Sequence, residues 1–376
     1  MKDMFMNEHL VVFSHPLCAT RFDTVLKYFF SEKHIKAKCI PQIFASLSIS
    51  LLTYPAVIIE SGICKVKTNN VKVEAPVFVI GHWRSGTTLV QYMLSRDKRF
   101  GIFDPYITYG YNYYHTLKHL NKYIVKNSMA EKRPMDNMKF GMDLPLEEYI
   151  VFATSCADSV YAGNFFPHSF EKYLNNAYWK DLPEKKYKKI AGHYDGMLKK
   201  ASLINNGKRM LLKSPDNTCR VEELHKLYPD AKFVSIYRNP YTVIRSSVHL
   251  YETIFSLWGL QNPPSRSELE DMIIDNFIRM YNAYAIAKAK LPEDSIYEIR
   301  YEDFQEAPIP ILKDAYEKLG LGDFEKARHS IEEYWNSEAD YKKNKFDYPA
   351  DLMKKIDDNL GFYFEEYGYE KGKIFA

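Results

Sequence analysis

Residues 77–90 read VFVIGHWRSGTTLV. Val77, Phe78, Val79 and Ile80 form an unbroken apolar run, the pattern of a strand covered on both faces. Gly81 follows, then Gly86, Thr87 and Thr88, and apolar residues resume with helical spacing at Leu89, Val90, Met93 and Leu94. Strand, glycine turn and helix are the layout of a phosphate-binding loop, which holds an anion with backbone N–H groups at a helix N-terminus. The nucleoside-triphosphatase form is G-x-x-x-x-G-K-[ST]. Here Thr87 stands in the lysine slot, and the nearest cation is Arg84, inside the loop.

Further along, Met210-Leu211-Leu212 reads as a second strand ending at Lys213-Ser214-Pro215. VEELHKLYP then reads as a helix closed by Pro229-Asp230. A third strand, Ala231–Tyr237, runs into Arg238-Asn239-Pro240, and Tyr241–Leu250 reads as the next helix. Residues 268–290 are helical, and SIYEIRYEDF, 295–304, reads as a fourth strand. Strands alternating with helices predict a P-loop-containing α/β fold, a central parallel sheet flanked by helices. Residues 1–70 form a helical N-terminal extension and 71–376 the main domain. Within it, 104–205 is a helical and loop insert rich in Tyr, Lys and Asn, broken at Pro134, Pro145, Pro167 and Pro183. Ligands of such sheets sit beyond the carboxyl ends of the strands. Arg84, Lys213 and Arg238 each lie just past such an end.

The 376 residues are 46% apolar and 15% aromatic, enough for a substantial core. A net charge of +3 is not that of a dedicated nucleic-acid binder. The five cysteines, Cys18, Cys39, Cys64, Cys156 and Cys219, are scattered and include no C-x-x-C pair. That argues against a disulfide framework or a zinc site and for a reducing, cytoplasmic setting. MKDMFMNEHLVVFSH does not read as a secretory signal. IPQIFASLSISLLTYPAVII, residues 40–59, approaches spanning length but contains Pro41, Gln42, Ser46, Ser48, Ser50 and Pro55. Ile40, Ile43, Phe44, Leu47 and Leu51 follow helical spacing, so a helix packed on the domain is expected; the alternative is peripheral contact with a membrane surface.

The charges narrow the chemistry. A triphosphate enzyme needs the loop lysine and an acid at a neighbouring strand end to hold magnesium. The strand FVSIYRNP ends instead in arginine. The loop can still cradle one phosphate, while Arg238 supplies a bidentate clamp for a second. Ser246, eight residues on, can add a hydroxyl to that second group.

These segments together resemble the sulfotransferases that use 3′-phosphoadenylyl sulfate (PAPS). GHWRSGTTL resembles that family's 5′-phosphosulfate loop, and YRNPYTVIRSS its 3′-phosphate motif. LLKSP resembles the strand-end lysine of the tyrosylprotein and heparan-type enzymes, and IRYEDF a late strand whose tyrosine holds the nucleotide. The motifs span 77–304 in the family's order, closest to a bacterial-type branch with R-S-G-T-T loops; the long insert departs from the Golgi enzymes. The resemblance implies that Ser85, Gly86, Thr87 and Thr88 bind the 5′-phosphate, with Arg84 and Lys213 at the leaving-group oxygen. It further implies Arg238 and Ser246 at the 3′-phosphate, Tyr301 near the nucleotide, and no metal. Adenosine 3′,5′-bisphosphate (PAP) is the implied product. Asn344 and Lys345, in YKKNKFDY, resemble a C-terminal segment that closes over the nucleotide, though a solvated charge run explains them equally well.

The general base stays open at this level. Glu147 and Glu148 in DLPLEEY resemble an acidic motif of the bacterial-type branch and lead, ahead of Asp104 in FGIFDPY. An acidic first turn of a helix and an Asp-Pro turn are the bland alternatives. His115 and His168 are weaker candidates. The insert's aromatics (Tyr106, Tyr109, Tyr111, Tyr113, Tyr114, Phe165, Phe166) predict an apolar hydroxylated acceptor such as a sterol, phenol or lipid. Sulfation of a carbohydrate or a protein tyrosine is the second reading. A degenerate P-loop kinase and a nucleotide-binding module without a reaction are the rivals. Magnesium-dependent ATP turnover would favour the first rival, and PAP binding without turnover the second.

Overall fold

The computed structural model describes residues 15–129, 132–133, 135–136, 138–338 and 344–374. Residues 1–14 of the extension, Pro134 and the first three residues of YKKNKFDY lie outside these. In chain order the elements used below are α1 (Phe22–Ser31), α2 (Ile40–Lys67), β1 (Val77–Ile80), α3 (Thr87–Leu94) and β2 (Phe100–Gly101). The insert carries α4 (Pro105–Gly110), α5 (Lys118–Ser128), α6 (Glu148–Ser155) and α7 (Glu184–Ile204). There follow β3 (Arg209–Lys213), α8 (Val221–Leu227), β4 (Lys232–Tyr237), α9 (Pro240–Trp258), α10 (Arg266–Lys288), β5 (Ile296–Arg300) and α11 (Tyr301–Glu306).

Among the described residues the sheet has five strands, all parallel, in the order β2-β3-β1-β4-β5. Side chains alternate between the two faces of a strand, so each strand feeds two cores. Phe78, Ile80, Leu212 and Phe233 enter the core shared with α7, α9 and α10. Val77, Val79, Leu211, Val234 and Ile236 enter the opposite one, with α3 and the helices that follow β5. All four residues of β1 are buried, which is why that strand reads as a continuous apolar run.

Two strand readings are corrected. The fourth predicted strand stops at Arg300, and Tyr301 opens α11 instead of extending the sheet. Strand β2 escapes the sequence because two residues carry no periodicity.

The described part of the extension carries α1 and α2, but the long helix α2 faces the other way from expectation. Pro41 sits in the first turn of α2, where a missing N–H costs little. Pro55 lies inside the helix, and the residue whose carbonyl it leaves unbonded, Leu51, is on the exposed side. Ile40, Phe44 and Leu51, expected to pack inward, are exposed, with Phe44 at 71%. The buried positions are Ser46, Ser50, Val57 and Glu60.

Candidate active site

Strand β1 lies at the topological switch point, flanked by β3 and β4. The loops leaving these three strands therefore meet at one edge of the sheet. After β1 the chain turns through Gly81 (φ 142°), Arg84 (φ 71°) and Gly86 (φ 108°). A Cβ on Gly81 would meet the carbonyl oxygen of Ile236 at 2.3 Å, and one on Gly86 the Tyr301 ring at 2.4 Å. Glycine is thus required twice, by φ and by close approach. Arg84 pays the left-handed strain without being glycine, as residues held for function often do.

A cavity of about 730 Å³ opens at this edge, within the range of small-molecule sites, about 300–1,000 Å³. Its polar end is lined by Arg84, Gly86, Thr87, Thr88, Arg133, Asp136, Glu147, Lys213, Arg238 and Tyr301. Thr87 and Thr88 open α3, whose first N–H groups have no partner within the helix. The three strand-end cations predicted from sequence do meet here. Arg84 donates through Nε to Ser246 Oγ at 2.9 Å and through Nη1 to Asp136 at 2.7 Å. The Arg238 guanidinium stacks 4.0 Å from the Tyr301 ring centroid and donates to the Arg84 carbonyl at 3.3 Å. Lys213 is buried and ion-paired with Glu147. Burial holds its ammonium below the ordinary value, against the opposing pull of Glu147.

The acidic candidates separate sharply. Glu147 lines the cavity, and its Oε2 is buried with no partner among the described residues. Glu148 points the other way. Its Oε2 accepts from the Lys213 backbone N–H at 3.0 Å, and its Oε1 from Tyr194 (3.0 Å) and Asn217 (2.6 Å). Burial raises its pKa. Glu148 thus terminates β3 by satisfying a strand-end N–H. Asp104 caps α4, accepting from Ile107 N–H at 2.7 Å, and does not line the cavity. His115 is bound to Glu60 at 2.8 Å and His168 packs against His34; among the described residues no histidine lines the cavity.

Other predicted residues fall around the rim or behind it. Ser85 is fully buried behind the loop, its hydroxyl donating to the His82 carbonyl at 2.8 Å. Ser246 is buried in α9 under Arg84. Asn344 donates to the Met135 carbonyl at 3.1 Å, beside the segment that carries Asp136, and Lys345 is exposed.

Sequence reasoning missed Arg133 and Asp136. Arg133 donates to Thr88 Oγ1 at 3.2 Å and pairs with Asp136 at 3.2 Å, so it adds a further cation at the loop. Burial alone would raise the Asp136 carboxyl, but Arg133 and Arg84 hold it below its ordinary value. In EKRPMDNMKF the only signal was charge beside a proline, which reads as a solvated loop.

The far end of the cavity is apolar. Tyr109, Ile150, Ala153, Val160, Tyr161 and Phe165 come from the insert, whereas Leu250, Tyr251, Ile254 and Trp258 come from α9. Of the seven aromatics expected there, Tyr109 and Phe165 line it; Phe166 and Tyr111 pack in the cores instead.

Comparison with known proteins gives a consistent picture. Residues 76–326 match the family described as the sulfotransferase family. Over 301 residues the chain is 28% identical to omega-hydroxy-beta-dihydromenaquinone-9 sulfotransferase Stf3 of Mycobacterium bovis and of Mycobacterium tuberculosis, covering 79% of this chain and 76% of theirs. Sulfotransferase STF9 from Mycobacterium avium shares the fold at a TM-score of 0.69 and 15% identity, covering 99% of this chain and 100% of that one. STF1 from Mycobacterium tuberculosis does so at 0.62 and 16%, covering 96% and 100%.

Proposed function

The chain belongs to the sulfotransferase family, and from that premise we propose that it transfers a sulfuryl group from PAPS to a hydroxyl of an apolar, lipid-like small molecule. The observation that carries this reading is the meeting of Arg84, Lys213, Arg238 and Glu147 at one end of a cavity whose other end is apolar. The curated relatives act, by name, on a hydroxylated menaquinone derivative. The apolar wall fits an acceptor of that class better than a polyanionic glycan.

The anionic ends of PAPS fit two stations. The N–H groups at the start of α3, with Thr87, Thr88 and Arg133, suit the 5′-phosphosulfate. Arg238 and Ser246 suit the 3′-phosphate, with Tyr301 stacked beside Arg238. When bound, PAPS supplies the sulfuryl group and leaves as PAP. Arg84 and Lys213 stabilise the negative charge that grows on the departing phosphate oxygen, favouring the transition state over the ground state. Glu147 takes the acceptor's proton through its unpartnered Oε2 while its Oε1 stays with Lys213, which orients the carboxylate. Ser85 braces the loop from behind. We place the insert 104–205 at the acceptor, the enzyme in the cytoplasm, and Asn344 and Lys345 at the nucleotide-side rim. No metal is assigned a role.

Radiolabelled PAPS, incubated with the protein and a panel of hydroxylated lipids, sterols, phenols and sugars in the presence of EDTA, tests the reading. Label should pass to an apolar hydroxyl compound despite the chelator. Label passing only to sugars, or only after magnesium is restored, would overturn it.

A further inference from the structure

The face of α2 that turns away from the protein is the more apolar one. Phe44, Leu51, Leu52, Ile58, Ile59 and Val66 recur at helical spacing on the exposed side, with Leu52 at 80% and Val66 at 78%. The inward side carries Ser46, Ser50 and Glu60. A helix merely packed on a soluble domain turns its apolar stripe inward. Here the stripe is inverted over 28 residues, about 42 Å of helix.

The helix is nonetheless fixed to the protein, which argues against a span. Glu60 is buried and holds four donors from outside the helix: Lys200 Nζ at 2.7 Å, His115 Nδ1 at 2.8 Å, and the N–H groups of His115 and Thr116 at 2.9 and 3.1 Å. Arg21 donates to Ser61 at 3.2 Å, and the Phe22 and Tyr54 rings lie 5.7 Å apart. Crossing a bilayer would strip these contacts and leave a carboxylate in hydrocarbon.

Directly after His115 and Thr116 comes α5, which shows the same design. Leu120, Tyr123 and Ile124 are exposed, at 51%, 70% and 50%, and Lys118, Lys122 and Lys126 alternate with them. Charge around both helices is predominantly positive. In residues 15–72 and 111–129 the acids are Asp23, Glu32 and Glu60, and each is already ion-paired. Lys33, Lys38, Lys65, Lys67, Lys118 and Lys122 are exposed and have no carboxylate partner among the described residues. The whole chain carries only +3, so the excess is local.

We propose that the exposed faces of α2 and α5 dock on an anionic lipid bilayer, apolar residues in the acyl boundary and lysines at the headgroups. A second copy of the chain is disfavoured as occupant, because it would bring one lysine-ringed face against another. The surface is close to the site. Pro16 lines the cavity, and its 3-10 turn, Pro16–Ala19, packs on α2, with Cys18 Sγ 3.5 Å from Ser46 Oγ. One 3-10 turn thus separates the inward side of α2 from the apolar wall, and the docking face lies on the opposite side of that same helix. This inference rests on the proposed lipid-like acceptor and specifies where that acceptor is met.

Co-sedimentation of the full chain with vesicles of phosphatidylglycerol and phosphatidylcholine, against phosphatidylcholine alone, tests the docking face. Binding should require the anionic lipid, weaken with salt, and fall at least ~10-fold in the F44D/L52D variant. A water-soluble short-chain hydroxyl acceptor, assayed in parallel, should be sulfated equally by both proteins. Absence of anionic-vesicle binding, or a dimer in solution that F44D/L52D converts to monomer, would overturn the inference. If sulfation of the soluble acceptor survives either result, only the docking face is lost. If sulfation itself is missing, the fault lies in the proposed reaction.

Discussion

The two ends of the cavity are built by different means. The donor end hangs from strand termini: Lys213 is the last residue of β3, Arg84 and Arg238 follow β1 and β4 by no more than four residues, and the parallel register brings them together. The acceptor end is walled by helices from two distant stretches, the insert and α9. Strand ends in a packed sheet fix positions tightly, which suits groups that must meet a transition state. Helix walls can change side chain by side chain, which suits discrimination among acceptors. Substitutions at the first end should therefore damage turnover, and substitutions at the second should change only which acceptor is used.

The largest expected effect separates two adjacent acids. Glu147→Gln should lower kcat by ~100- to 10,000-fold with little change in stability, because it removes the proton acceptor. Glu148→Gln should do the reverse. It weakens a buried network worth ~1–3 kcal/mol while activity per folded molecule is largely kept. Steady-state kinetics beside urea denaturation of both variants reads the difference; equal kinetic damage from both would erase the division drawn here. Next, Lys213→Met should cost ~100- to 1000-fold in kcat and also weaken PAP, which carries in full the charge that Lys213 faces. Arg238→Ala should act on the donor instead, raising its KM by ~10- to 100-fold, as expected for a charged hydrogen-bonding group worth ~1.5–3 kcal/mol. At the other end, Ile254→Ala should raise acceptor KM by ~10-fold or less and leave donor KM alone. A shift in donor KM would show that the two ends are coupled.

A last effect is on stability with pH. Burial lowers the pKa of His15, His82 and His193 to about 4 each. Histidine in the unfolded chain titrates near 6.5, so between that value and about 4 the unfolded state binds more protons. The contribution is complete above pH 6.5 and shrinks as pH falls through this window, by at most ~1.4 kcal/mol per histidine per pH unit. Urea midpoints measured between pH 7.5 and 5 should decline accordingly.

What could be read in advance follows the same division. Apolar runs covered on both faces announce parallel strands, and a cation one to four residues beyond such a run lies at the ligand edge. The donor end was legible for that reason. Glu147 and Glu148 could not be told apart, because which one faces the cavity depends on Tyr194, Asn217 and the Lys213 N–H, all far away in sequence. Arg133 and Asp136 were hidden because a charged loop looks solvated until it folds over another charged loop. The face of α2 is not legible because its spacing defines a stripe but not the direction it points; the inward side is chosen by Glu60 and its four donors from outside the helix.

The central claim is that one adenine nucleotide is held by both anionic ends at the β1, β3 and β4 termini. A crystal structure with PAP tests it most directly. The account predicts the 5′-phosphate at the N–H groups opening α3 and the 3′-phosphate between Arg238 and Ser246, with Ser246 released from Arg84. PAP bound elsewhere, or bound here with Arg238 still turned to the Arg84 carbonyl and away from the nucleotide, would contradict it.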